Sequence, residues 1–110
     1  LFPVNVPHGG AVPGFDPDIV LELYCRVDRH GFTPEGGVPR FPSGLLAQQT
    51  HLAAVQRMVV TAILEKDRRG LLEAFWIHPF TTSVARASEL FDAMWQQERD
   101  TLGPYWADVR

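Results

Sequence analysis

The 110-residue chain lacks most of the features that announce a function. It holds one cysteine, Cys25, so no disulfide can close within it, and a reducing, cytoplasmic setting is expected. Positive charge is not in excess: 10 Lys and Arg stand against 13 Asp and Glu, for a net charge of −3. No basic patch points to nucleic acid or to an anionic lipid surface, and neither is expected as a partner. No apolar run is long enough for a membrane-spanning helix, and no signal peptide is expected. The four histidines, His8, His30, His51 and His78, include no pair at i, i+3 or i, i+4. None sits in a Cys/His pattern with zinc spacing, so no metal site is expected within the chain. Gly9-Gly10 followed by Gly14 precedes no helix and lacks the Lys-Ser/Thr pair of a phosphate loop. There is no G-x-S-x-G elbow; Ser43, Ser83 and Ser88 fall at helix starts. Asp16 and Asp18 are close, but they stand in a proline-rich turn that solvates them. No catalytic constellation remains.

What is present is an apolar share of 45%, ordinary for one globular domain with a modest core. The organising stretch is residues 43–78. Leu45, Leu52, Val55, Val59 and Ile63 recur by threes and fours, and Leu46, Ala53, Val60 and Leu64 widen the stripe. A helix with more than one apolar side is expected between layers of structure.

The remaining elements follow from local chemistry. Residues 1–17 hold four of the nine prolines and three glycines, and read as loop with a short extended piece over 2–6. Residues 18–27 alternate with period two, which predicts a strand. Asp28-Arg29-His30-Gly31 reads as a turn with Gly31 at positive φ, and Phe32-Thr33 as a short return strand stopped by Pro34. Residues 35–42 read as a second loop. Ser43 is expected to cap a helix over 44–65, and Asp67 a second over 68–77 that ends before Pro79. Thr81 or Thr82 is expected to cap a short turn, followed by a last helix over 87–102 that Gly103-Pro104 stops. The fold class is therefore α+β: an N-terminal loop and strand or hairpin, then three main helices. The expected organisation is one domain, with residues 1–42 strand-bearing and 43–110 helical.

Several side chains invite functional readings that simpler ones match. Cys25 has no neighbour that would make it a thiolate, and reads as a buried strand cysteine. His51 reads as a polar-edge residue, and His78 as a residue near a helix C-terminus. Trp76, Trp95 and Trp106 suggest sugar stacking, but at helical spacing they read as core or interface.

The residues also resemble a known family. Asn5 to Phe15 reads N-V-P-H-G-G-A-V-P-G-F, followed by I-V-L-E-L-Y-C over Ile19 to Cys25, then Val27-Asp28, Gly31 and Pro34. Downstream comes V-Q-R-M-V-V-T-A-I-L-E-K-D-R over Val55 to Arg68, then Leu71 to Pro79 and Phe80-Thr81. In this order they resemble the C-terminal part of glycoside hydrolase family 4, with its N-x-P-N-x-G-A-I-x-x-L-P, V-V-E-V-P-C-x-V-D-x-x-G-I-x-P and V-Q-E-L-T-V-E-A-A-L-T-G-D-R segments. The likeness runs through nearly the whole chain. The departures are local: His8 stands where the family has Asn, Tyr24 where it has Pro, Ala54 where it has Asn, and Lys66 where it has Gly.

The resemblance implies a glycosidase that works by redox-assisted elimination with NAD and a divalent metal, often manganese, and without the two-carboxylate scheme. The dinucleotide fold, the metal ligands and the base lie upstream of the matching region, so it implies no catalytic, cofactor-binding or metal residue here. Cys25 matches the strand cysteine of the V-E-V-P-C segment and not the metal ligand. Asn5, His8 and Gly9 belong to a loop that could approach the sugar site. The implied partner is the remainder of the enzyme with its N-terminal dinucleotide-binding domain, and a homo-oligomer is expected. The first residues, Leu-Phe-Pro without an initiator Met, fit a piece of something longer. The expected function is the structural and interface-forming C-terminal portion of such a glycosidase, inactive by itself. A rival is a stand-alone helical interaction module that dimerises through Trp95, Tyr105 and Trp106; a small sugar- or effector-binding domain is a third reading.

Overall fold

A computed structural model describes residues 1–35 and 40–107. The chain is α+β. It forms strands β1 (Phe2–Pro7), β2 (Val20–Asp28) and β3 (Gly31–Pro34), then helices α1 (Ser43–Glu65), α2 (Arg68–Ile77), α3 (Val84–Gln97) and α4 (Arg99–Leu102), and ends in a 3-10 turn, Gly103–Trp106. Part of the loop expected over 35–42 lies outside the described residues.

The sheet has the order β1-β2-β3 and is antiparallel throughout. In β2 the period-two alternation does what it predicts. Leu21, Leu23 and Cys25 turn to the covered face, while Glu22, Tyr24 and Arg26 turn outward. The hairpin register pairs Asp28 with Gly31. Its turn is closed by the Asp28 carboxylate, which accepts from the His30 N–H at 2.7 Å, with Gly31 at φ +119°.

The short extended piece expected over 2–6 is a full strand: residues 2–7 pair from Phe2↔Cys25 to Pro7↔Val20, although the rest of 1–17 was expected as loop. The prolines that argued against a strand sit where they do least harm. The His8 N–H donates to the Ile19 carbonyl and the Glu35 N–H to the Tyr24 carbonyl. By alternation, the odd-numbered β2 residues bond to β1 and the even-numbered ones face the other way. Pro3 and Pro7 lie opposite Tyr24 and Val20. An N–H at either position would point off the open edge of the sheet, so nothing is lost.

Helix α1 begins at Ser43 itself. Its first bond runs from the Leu46 N–H to the Pro42 carbonyl, which places Pro42, not Ser43, at the cap. It ends at Lys66, the only described residue other than Gly with positive φ (+56°). The Asp67 N–H donates to the Ala62 carbonyl at 2.8 Å and the Lys66 N–H to the Ile63 carbonyl at 3.3 Å. That is the paired closure in which Gly is the usual left-handed residue. Asp67 then occupies the cap position of α2 in extended conformation, although its carboxylate caps no N–H. The expected last helix starts earlier and breaks. Ser83, not Thr81 or Thr82, caps α3 by accepting from the Arg86 N–H, and the helix yields at Glu98 before α4. The Thr81 hydroxyl instead donates back to the Phe75 carbonyl at 2.6 Å.

The contacts divide the chain into two compact units, Leu1–Thr50 and His51–Arg110, and α1 runs through the division. The boundary falls inside the helix, beyond residue 43, because the first turns of α1 serve the N-terminal unit. A Cβ built on Gly14 would lie 2.8 Å from the Leu46 side chain. The second unit is organised on aromatic rings. Phe75 meets Phe91 at 5.6 Å, Phe91 stacks on Trp95 at 5.8 Å, and Trp95 meets Trp106 edge-on at 5.2 Å. The Arg68 guanidinium lies 5.1 Å from both the Phe91 and Trp95 rings and pairs with Asp92. Among the described residues no helix is long and apolar enough to cross a membrane.

Candidate functional site

The end of β1 and its connection to β2 carry the N-V-P-H-G-G-A-V-P-G-F run, and one buried side chain shapes the connection. His8 is 2% exposed. Its Nε2 lies 2.8 Å from the Asp16 carbonyl, and its Nδ1 faces the N–H groups of Gly10 at 3.2 Å and Val12 at 3.3 Å. A carbonyl can only accept and an amide N–H can only donate. The ring is therefore the neutral tautomer with its proton on Nε2. Backbone bonds from Ala11 to His8, Gly9 to Pro17 and Ile19 to Asp16 complete the loop. Phe15 meets the His8 ring edge-on.

The three residues singled out from sequence are thus placed differently. His8 points inward with both ring nitrogens engaged. Asn5 is exposed on the outward face of β1, opposite Glu22, and Gly9 is exposed at the start of the loop with φ +56°. His51 and His78 also have structural partners. His51 Nε2 donates to the Ile77 carbonyl at 2.7 Å near the end of α2, and His78 Nδ1 accepts from the Phe80 N–H.

The same loop forms one wall of a groove of about 560 Å³ within the N-terminal unit. Its apolar side comes from Val12, Phe15, Leu23, Phe41 and Leu45, with Phe15 and Phe41 edge-to-face at 6.4 Å. Its polar border is Glu22, Tyr24, Glu35 and Gln49. Glu35 also pairs with Arg26. The groove borders β2 from Leu21 to Tyr24, and β3 pairs with Cys25 to Asp28. By the alternation described above, the backbone N–H and C=O of Glu22 face the β3 side of the strand. Sequence reasoning missed this groove. Its walls come from a loop, a strand and the start of a helix, and no local periodicity ties Phe15 to Phe41 or Leu45.

Among the described residues no group of three or more His, Cys, Asp or Glu comes together as a metal would require. Cys25 is buried in β2 and free. The glycine-bearing loop after β1 is folded around His8.

Comparison with known proteins places these features. The sequence pattern described as "Family 4 glycosyl hydrolase C-terminal domain" matches residues 1–81. The chain is 29% identical over 106 residues to a maltose-6'-phosphate glucosidase of Clostridium acetobutylicum, covering 94% of this chain and 22% of that protein. It is 29% identical over 99 residues to a 6-phospho-alpha-glucosidase of Leptotrichia buccalis, covering 86% of this chain and 21% of the relative. A maltose-6'-phosphate glucosidase of Bacillus subtilis shares 26% over 106 residues. Among solved structures, a 6-phospho-alpha-glucosidase from gut microorganisms, in complex with NAD and Mn2+, superposes with a TM-score of 0.76 at 29% identity. The match covers 89% of this chain and 22% of that one. The chain thus spans about a fifth of the length of the relatives it matches.

Proposed function

The chain belongs to the family 4 glycosyl hydrolases, whose C-terminal domain it carries, and from that we propose that it serves as the C-terminal part of a cytoplasmic 6-phospho-α-glucosidase. The enzyme would cleave the glycosidic bond of a phosphorylated glucoside such as maltose 6'-phosphate by the family's NAD-dependent redox elimination. NAD and the divalent metal, when bound, supply hydride transfer and activation of the sugar at its ring carbons. Both would be held by the remainder of the enzyme, where the family resemblance puts the dinucleotide fold and the metal ligands. This chain's own share is to hold Asn5 on β1 and Gly9 in the following loop against that remainder, with His8 fixing the loop's shape from inside, and to form part of a homo-oligomer.

One observation carries the reading. The match spans the chain from its first residue to Thr81 in order, while the relatives that share it are phospho-glucosidases about five times longer. The test is enzymatic. The 110-residue chain, given aryl α-glucosides with and without a 6-phosphate, NAD and manganese, is expected to show no turnover above blank. An enzyme carrying this segment after a dinucleotide-binding domain is expected to cleave the 6-phosphorylated substrate only when both cofactors are present. Turnover by the short chain alone would overturn the division of labour; cleavage by the longer enzyme without NAD would overturn the mechanism.

The rival module, dimerising through Trp95, Tyr105 and Trp106, has less to work with. Trp106 is 8% exposed and packed against Trp95. The Tyr105 hydroxyl donates to the Ile63 carbonyl at 2.8 Å. These side chains hold their own unit together.

A further inference from the structure

We propose that His8 is a proton-operated latch on the connection between β1 and β2. The connection closes on the neutral imidazole and opens when the ring takes up a proton. What opening does to an enzyme rests on the glycosidase reading, in which this loop is held against the remainder; the latch itself rests on the hydrogen bonds of one ring.

Both ring nitrogens are already committed. Nε2 carries the proton and donates to the Asp16 carbonyl at 2.8 Å. Nδ1 offers its lone pair to the N–H groups of Gly10 at 3.2 Å and Val12 at 3.3 Å. An added proton can enter only at Nδ1. There it replaces the acceptor with an N–H that points at two other N–H groups, so both bonds are lost in one step. His8 and Val12 are each 2% exposed. While the loop stays closed, the new cation and the Val12 N–H have no solvent to turn to. Opening the loop hydrates both. The hinge is supplied by Gly9 and Gly10, at φ +56° and +91°, which reach other backbone conformations without a side-chain clash. The ends of the loop stay tied, because the His8 N–H donates to the Ile19 carbonyl and continues the β1–β2 ladder. The change is therefore confined to residues 9–18. It uncovers Val12 and separates Phe15 from the ring it meets edge-on.

The charged and titratable groups around the ring leave it alone in this role. The loop itself carries Asp16 and Asp18, both exposed, and the Asp16 carboxylate accepts from the Asp18 N–H at 3.2 Å. β1 carries no titratable side chain, and neither do the first turns of α1 over 43–50. On the covered face of β2 the titratable residue is Cys25, opposite Phe2 at the far end of β1. Glu22, Tyr24 and Arg26 turn to the other face, and Asp28 is held in the hairpin turn. Phe15 also meets Phe41, whose neighbour Arg40 is exposed. The remaining histidines are placed elsewhere. His30 accepts from the Arg29 side chain in the hairpin turn, and His51 and His78 bond within the second unit. Asn, the family residue at this position, offers a donor and an acceptor but takes up no proton in the range where an imidazole does, so the latch is a property of this chain.

The test follows the 110-residue chain, labelled with nitrogen-15, from about pH 7.5 to about pH 5. At the upper end the His8 imidazole signals should show one proton, on Nε2. On acidification the ring should gain its second proton together with a fall of about tenfold in exchange protection at Gly10 and Val12, corrected for the intrinsic rate at each pH. Protection at Val4, Val6, Leu21 and Leu23, which bond across the β1–β2 ladder, should hold. In His8→Asn, protection at Gly10 and Val12 should no longer depend on pH. If that variant fails to form the loop, the ring and amide signals of the unaltered chain still decide. A ring that gains its second proton while the loop amides stay protected would overturn the latch. So would a ring that stays singly protonated down to about pH 5, a pH response kept in His8→Asn, or ladder protection lost in step with the loop. None of these outcomes touches the glycosidase assignment, which is read by turnover of the longer enzyme, and failure of that turnover leaves the latch standing.

Discussion

The two units of this chain solve the same problem by opposite means. In Leu1–Thr50 the backbone does most of the holding. Two antiparallel ladders fix the strands, and a buried histidine gathers three backbone groups of the connecting loop onto one ring. In His51–Arg110 side chains do it. Phe75, Phe91, Trp95 and Trp106 form a run of ring contacts, and Arg68 lies against two of them. A polar knot is short-ranged and directional, so it can shape a loop while leaving a groove beside it unfilled. An aromatic stack works by contact area, and it too leaves space at its border: a pocket of about 330 Å³ is lined by Trp95 and Trp106.

The comparison breaks most sharply at Phe91. This side chain is 7% exposed and touches Phe75, Trp95 and Arg68. Phe91→Ala should destabilise the second unit by about 4 kcal/mol, seen as lost amide protection in α2 and α3 by hydrogen exchange. If protection in the β1–β2 ladder falls by the same amount, the two units unfold as one, and the contrast between them describes contacts and not stability.

His8→Ala probes the other unit. It leaves the Gly10 and Val12 N–H groups and the Asp16 carbonyl without their partner, at a cost of about 3 kcal/mol. Exchange should accelerate at Gly10 and Val12 first. His8→Asn, which installs the residue the family carries, should recover part of the loss, because an amide offers both a donor and an acceptor. A loss below about 0.5 kcal/mol for His8→Ala would show that water replaces the ring without penalty and that the knot is not what shapes the loop.

The smallest effect sits at the end of α1. Lys66 adopts φ +56°, where a side chain costs about 1 kcal/mol that glycine avoids. Its ammonium lies 4.7 Å from the Tyr105 ring centroid, an exposed contact that offsets roughly 0.5 kcal/mol. Lys66→Gly should therefore raise stability by about 0.5 kcal/mol, measurable as a rise in thermal midpoint. A drop would mean that the lysine–tyrosine contact outweighs the backbone strain.

Much of this was legible beforehand. The alternation over 18–27, the Asp28 to Gly31 turn and the apolar period of α1 each reflect chemistry confined to a few neighbouring residues. The family likeness, read from ordered motifs, also stood. What could not be read was that the extended piece over 2–6 pairs with β2. Pro3 and Pro7 count against a strand until the register shows that their missing N–H groups would face off the sheet. The role of His8 was equally hidden, since the Asp16 carbonyl lies eight residues away and is reached only once β1 and β2 are paired.

By itself, then, the sequence determined which segments become helix or strand, the class α+β and the family, because propensity, period and motif are properties of short stretches. Tertiary structure alone decided which way each side chain of those stretches is used. The pairing of β1 with β2 turned His8 from a member of a loop that could approach the sugar site into the buried centre of that loop. The packing of α1's first turns against Gly14 set Leu45 and Gln49 beside the groove that β2 borders. Those outcomes depend on contacts between residues distant in the chain, and no local pattern encodes them.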